Sequence, residues 1–214
     1  MQEKRNTVII IAGPTASGKT ALALELARHY NTSIISADSR QCFKELDIGV
    51  AKPTEEELRS IKHYFISSHS IHDDVSAQTF ETYALRAADE IFQNRPVAIM
   101  AGGTGLYIKA FCEGLDAVPP PDPAVRQQVT LGYEAGGLEW LQQQVQHNDP
   151  EFWQTAEQQN PRRLMRALEV LLTTGKSITT YKTQIKKERP FHIYKAGIDV
   201  QVDILKERID ARVD

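Results

Sequence analysis

The apolar positions of this chain repeat with two different periods. Short, mostly β-branched runs stand at 8–11 (VIII), 33–36 (SIIS), 97–100 (VAIM) and 193–198 (IYKAGI), the pattern of strands buried on both faces of a parallel sheet. Between them the spacing lengthens to that of a helix. Residues 20–30 carry Leu22, Leu26 and Tyr30 on one face, and residues 80–92 carry Phe80, Tyr83, Ala84, Ala87, Ala88 and Ile91. Strands alternating with helices predict an α/β fold, an open parallel sheet flanked by helices, with ligands held at the carboxyl ends of the strands.

Beyond Tyr107 the pattern changes. The run VPPPDP at 118–123 is a rigid break, and residues 124–160 are polar, glutamine-rich and helical in period, with Leu138, Leu141 and Val145 on one side. They predict a small helical insertion domain at 118–160, following a first part of the core at 1–117. Residues 161–214 are expected to return to the core, opening on a capped helix with Asn160 as N-cap and Pro161 at the first position. Leu164, Leu168, Leu171 and Leu172 are expected to face inward, with Gly175 past the helix end. The stretch 204–213 is an amphipathic helix with no stop signal, so the natural chain is expected to continue past Asp214.

Composition narrows the class. With 214 residues, 41% of them apolar, the chain can bury a core. No apolar run approaches the roughly 18 residues of a membrane span. The polar residues 2–7 lead straight into the first strand, and a cytoplasmic protein is expected. Cys42 and Cys112 lack metal-site spacing and are expected as buried thiols. The net charge of −3 conceals a basic segment, because 161–195 holds nine lysines and arginines against two acids. Charge alone fits either a solvated helix face or a surface for a polyanion.

Chemistry enters at GPTASGKT, residues 13–20, which satisfies GxxxxGK[ST] between a strand and a helix. Gly13, Pro14, Thr15, Ala16, Ser17 and Gly18 form a loop whose backbone N–H groups can converge on an anion. The helix start adds partial positive charge, Lys19 neutralises phosphate oxygens, and Thr20 can ligate Mg²⁺. Any di- or triphosphate fits such a P-loop. Asp38 lies just past the second strand, beside the P-loop if the two strands are neighbours. There a carboxylate can accept a proton, hold a metal through water, or cap the following helix. The strand at 97–100 runs into Gly102-Gly103-Thr104-Gly105, without the carboxylate that nucleotide-hydrolysing P-loop proteins place at a strand end for Mg²⁺.

Five motifs, GPTASGKT, ISADSRQ, DIGVAKP (47–53), GGTGLY (102–107) and RRLMRALEV (162–170), stand in the order and spacing of the tRNA dimethylallyltransferases, which the chain resembles over nearly its whole length. The resemblance implies a cytoplasmic, monomeric, Mg²⁺-dependent enzyme. It would transfer a dimethylallyl group from dimethylallyl diphosphate to N6 of an adenosine beside the anticodon, in the anticodon stem-loop of tRNA. The P-loop would then stabilise departing diphosphate, which accounts for the missing strand-end carboxylate. Asp38 is implied as general base, with Lys19 and Thr104 completing the catalytic set. The tRNA contacts implied are Asp38, Ser39, Arg40, Gln41, Thr104, Arg126, Arg162, Arg163, Leu164, Met165 and Arg166, around a base turned out of its stack. The chain departs from the family at His63-Tyr64, where paired histidines are usual, at Val50 for Thr, and at Cys42-Phe43 for Val-Tyr. It also has Val202 near the place where an Arg often reaches the diphosphate: either the corresponding position lies a few residues away, another base such as Lys206 or Arg208 substitutes, or the leaving group is stabilised less. Two other functions compete: a small-molecule or nucleotide kinase, ATP-binding with Asp38 activating an alcohol, and a non-catalytic tRNA-binding paralogue, motivated by Val202.

Overall fold

The computed structural model describes residues 6–183 and 185–213. Five strands, β1 (Thr7–Ala12), β2 (Ile34–Ser36), β3 (His63–Tyr64), β4 (Val97–Gly102) and β5 (His192–Gly197), pair in parallel in the order β3-β2-β4-β1-β5. The four expected strands are present within two residues of their predicted ends. β3, at two residues, is too short for any period to announce it.

Alternation along the strands builds a two-sided core. Val8, Ile10, Ile35, Ala98 and Met100 pack with the buried residues of α3 (Ala77–Phe92) and α4 (Gly105–Glu113). Ile11, Ile34 and Ile99 pack with Ala23, Leu24 and Ala27 of α1 (Lys19–His29). Burial holds even the three-residue β2, since each fully buried Ile contributes about 1.5–3 kcal/mol. A short helix, α2 (Glu55–Ser60), starts at a capping box made by Thr54 and Glu57.

The strand order corrects one expectation. β4 lies between β1 and β2, so the strand ending at Asp38 does not neighbour the strand ending in GPTASGKT. Gly102 makes the arrangement possible, because a Cβ there would fall 2.2 Å from the Ala37 carbonyl oxygen. The end of β4 can therefore press against the end of β2 only as glycine.

The chain divides into two compact units, Met1–Leu115 with Lys186–Asp214, and Asp116–Ile185. In the second, α5 (Pro123–Asn148) bends at Gly137 (φ 64°) and is followed by α6 (Pro150–Thr155) and α7 (Pro161–Thr174). Asn160 and Gly175 cap α7 as expected, the latter at φ 69°. Its partners differ from expectation. Leu164, Ala167 and Leu168 pack with Val129, Leu141, Val145 and Phe152, so α7 belongs to the helical unit, and the return to the sheet begins at 186 rather than 161. Leu172 is 44% exposed, and Glu169 and Val170 are buried instead. In the first unit, α8 (Val202–Val213) follows β5. Both cysteines are buried free thiols, and among the described residues no helix is long and apolar enough to cross a membrane.

Candidate active site

GPTASGKT fills the gap between β1 and α1. Ala16 (φ 63°) and Gly18 (φ 92°) turn the chain through left-handed conformations. Gly18 is the N-cap of α1 and offers no side chain to the first-turn N–H groups, which stay open to an anion. The Ser17 hydroxyl is buried without a hydrogen-bond partner among the described residues. It lies so close to Gly13 that a Cβ there would sit 2.9 Å from it. Leaving such a group unpaired costs about 1–3 kcal/mol, a deficit that an anionic ligand in the loop would relieve. The Lys19 ammonium folds back to the Pro14 carbonyl, and Thr20 stands exposed beside it. From α8, Arg208 Nη1 donates to the Ala16 carbonyl at 3.4 Å. Val202, at the start of that helix, is 65% exposed, so the cation arrives about two turns further along.

The ends of β2 and β4 are stitched together. Ala37 N–H donates to Ala101 O at 2.8 Å, Thr104 N–H to Ala37 O at 3.1 Å, and Ser39 N–H to Thr104 Oγ1 at 3.0 Å. The Thr104 hydroxyl thereby keeps its own hydrogen for another acceptor. Gly103 adjoins the P-loop, since a Cβ there would meet the Gly13 carbonyl at 3.4 Å. Three strand ends thus stand side by side with glycines in the middle. Asp38 Oδ1 accepts from Arg40 N–H at 2.9 Å and Gln41 N–H at 3.2 Å. Oδ2 accepts no hydrogen bond among the described residues. The carboxylate caps a turn and not the start of a helix, and one oxygen remains available. Burial pushes the nearby Cys42 thiol up to about 11 and the Tyr107 phenol up to about 12, so both stay neutral at pH 7.

The implied RNA contacts separate into several groups. Arg40 is exposed, whereas Gln41 is engaged internally: Ser36 Oγ donates to its Oε1 at 2.9 Å, and its Nε2 donates to Ala51 O at 2.9 Å. In the helical unit Arg126 and Arg162 are exposed, and Arg163 pairs with Glu157. Arg166 Nη2 donates to Pro119 O at 3.0 Å, with Nη1 4.0 Å from Glu169. Met165 packs against the helical core, and Leu164 is 0% exposed, so the Leu164 side chain serves that core and cannot touch RNA. Sequence reasoning missed Glu169, a carboxylate buried within a basic helix; its place three residues after Arg166 was the available signal. Burial raises its pKa, opposed by Arg126 and Arg166. His63 and His69 bond Ile61 O and Ser68, and the described residues contain no metal-binding cluster of His, Cys, Asp and Glu.

An anion cradle at the end of β1, with a hydroxyl past the end of the central β4 and a carboxylate past the end of β2, defines a P-loop-type α/β transferase. A profile of the IPP transferase family matches residues 41–214. The tRNA dimethylallyltransferases of Cytophaga hutchinsonii and Christiangramia forsetii are 45% and 46% identical, over 97% and 98% of this chain and 68% and 69% of their own. Among solved structures, the full-length tRNA isopentenylpyrophosphate transferase of Bacillus halodurans superposes with a TM-score of 0.62 at 30% identity, covering 98% of this chain and 65% of that one. A eukaryotic dimethylallyltransferase acting on tRNA gives 0.74 at 25% identity, over 98% and 52%. The chain belongs to the IPP transferase family, the tRNA dimethylallyltransferases, and spans about two thirds of the length of those curated relatives.

Proposed function

We propose that this protein transfers a dimethylallyl group from dimethylallyl diphosphate to N6 of an adenosine beside the anticodon of tRNA, releasing diphosphate. The observation that carries the reading is the unengaged Oδ2 of Asp38, set across the Gly102–Gly103 strand end from the cradle. The amine attacks carbon, and the C–O bond to diphosphate breaks. Negative charge grows on the departing group, where the loop N–H groups, Lys19 and Arg208 oppose it. The amine is a weak nucleophile because its lone pair is delocalised into the ring. Oδ2 orients it by accepting a hydrogen bond and takes its proton as the C–N bond forms. Thr104 donates to the diphosphate or the nucleotide.

Mg²⁺ fits this site. The exposed Thr20 hydroxyl beside Lys19 would hold it, the kind of oxygen donor that Mg²⁺ prefers. When bound it neutralises charge on the leaving group. Arg126, Arg162, Arg163 and Arg166 position the anticodon stem-loop through its phosphates. The enzyme acts as a monomer in the cytoplasm. Arg208, which donates to the Ala16 carbonyl of the loop, supports the catalytic reading over a non-catalytic paralogue, because it brings a cation to the cradle from the helix that begins at Val202.

One competition experiment tests the reading. The protein is given labelled dimethylallyl diphosphate, γ-labelled ATP, unmodified tRNA and small hydroxyl acceptors. Prenyl label on adenosine is expected. Phosphoryl label on a small acceptor with none on tRNA would establish a kinase, and tRNA binding without either transfer would leave only an RNA-binding protein.

A further inference from the structure

Ile48, in the DIGVAKP loop, is the most open large apolar side chain among the described residues, 97% exposed against 76% for Ile185, the next. The loop that carries it is firmly held. Lys52 Nζ pairs with Asp47 Oδ1 at 3.0 Å and donates to Lys44 O at 3.4 Å. Gln41 Nε2 donates to the carbonyls of Ala51 and Val50, and Val50 itself is buried. Ala51 stands at φ 50° and Gly49 at φ 74°, a left-handed path that persists because both flanks are tied. A slack loop would fold its isoleucine back onto the surface; this one holds it out in water.

The surroundings indicate the occupant. Gln41 joins this loop to the end of β2 through Ser36 and, by its N–H, to Asp38 Oδ1, so Ile48 keeps a fixed offset from the carboxylate that receives the target amine. Arg40 and Lys44 are exposed and make no ion pair among the described residues. The nearby acids are occupied: Asp47 by Lys52, and Glu45 by the Ser70 hydroxyl and Ile71 N–H. An aliphatic tip in a segment that also carries two exposed cations, neither in an ion pair among the described residues, matches stacked bases on a phosphate backbone. We propose that Ile48 is the wedge that fills the gap in the anticodon-loop stack when the adenosine turns out towards Asp38. This rests on the function proposed above. Turning a base out forfeits its stacking on both neighbours, and a branched aliphatic side chain in the hole keeps water out and prevents the base from returning. A lysine or arginine would bring its own hydration into the gap.

The test compares wild type, Ile48→Ala and Ile48→Leu on tRNA, with 2-aminopurine in the target position to report unstacking. Ile48→Ala should give a much smaller fluorescence rise at saturating protein, and kcat/KM for adenosine-bearing tRNA should fall about tenfold or more. The KM for dimethylallyl diphosphate should not move, and Ile48→Leu should recover most of the loss. On tRNA with an abasic site next to the target, where the stack is already broken, Ile48→Ala and wild type should converge. Equal activity of Ile48→Ala and wild type on intact tRNA, or an equal loss on both substrates, would overturn the wedge. A wild-type protein that transfers nothing to tRNA would overturn the proposed function, and the wedge with it.

Discussion

At Asp38, Oδ1 accepts two backbone N–H groups while Oδ2 accepts none among the described residues, so in the proposed reaction one side chain would serve local structure and chemistry through different atoms. Asparagine at this position can keep the Oδ1 contacts but cannot take a proton. Asp38→Asn should therefore lower kcat by about 10²–10⁴ with little change in melting temperature or tRNA affinity. Asp38→Ala should lose the same rate and also about 1 kcal/mol of stability with its turn cap. Steady-state kinetics beside thermal melts read both, and identical melting losses for Asn and Ala would contradict the division of labour. A carboxylate able to cap was legible in ISADSRQ, but not that it caps a turn, because turn and helix after an Asp look alike in sequence. Leu164 shows the opposite limit: the family resemblance implied an RNA contact while the helical spacing put the same side chain inward, and its 0% exposure sides with the spacing.

Among elements, α7 carries the clearest tension, a buried carboxylate on a helix whose other charges are arginines. Burial raises the Glu169 pKa above the ordinary 4.5 despite Arg126 and Arg166, so folding favours its neutral form. The stability from such a raised group is fully present below its unfolded pKa and is lost as pH rises through the folded value. Glu169→Gln should accordingly raise the melting temperature at pH 7, with the advantage shrinking as pH falls towards 4.5. Melts across that range check it, and a lower melting temperature at pH 7 would mean the arginines outweigh desolvation. Long periodic elements such as α1 and α3 were readable from spacing. α4 was hidden because Gly103 and Gly105 imitate a loop at its start, although Tyr107, Ala110 and Phe111 fall at helical intervals. Strand order had no local signal beyond Gly102, whose missing side chain is legible only once the neighbour is known.

For the molecule as a whole, the sheet-bearing unit is discontinuous, and the returning segment must be fastened. Arg189, nearly buried, donates to Phe111 O at 2.7 Å and Ala110 O at 2.9 Å at the end of α4, and to Glu81 Oε1 of α3 at 2.8 Å. Arg189→Ala would leave the buried Glu81 with only Lys187, at 3.5 Å, among the described residues, and a loss of about 3–5 kcal/mol is expected. Adding Glu81→Gln should return part of it, measured by urea denaturation. The proline run located the chain's departure from this unit closely, yet the return was misplaced because an amphipathic helix does not say which core it faces. The position of β4 between β1 and β2 has one more consequence. Two inter-strand steps of about 4.8 Å each separate cradle and carboxylate strands by roughly 9.5 Å. That interval is a caliper set by backbone pairing, which side-chain replacements cannot retune; new donors or acceptors must be accommodated by the loops above it.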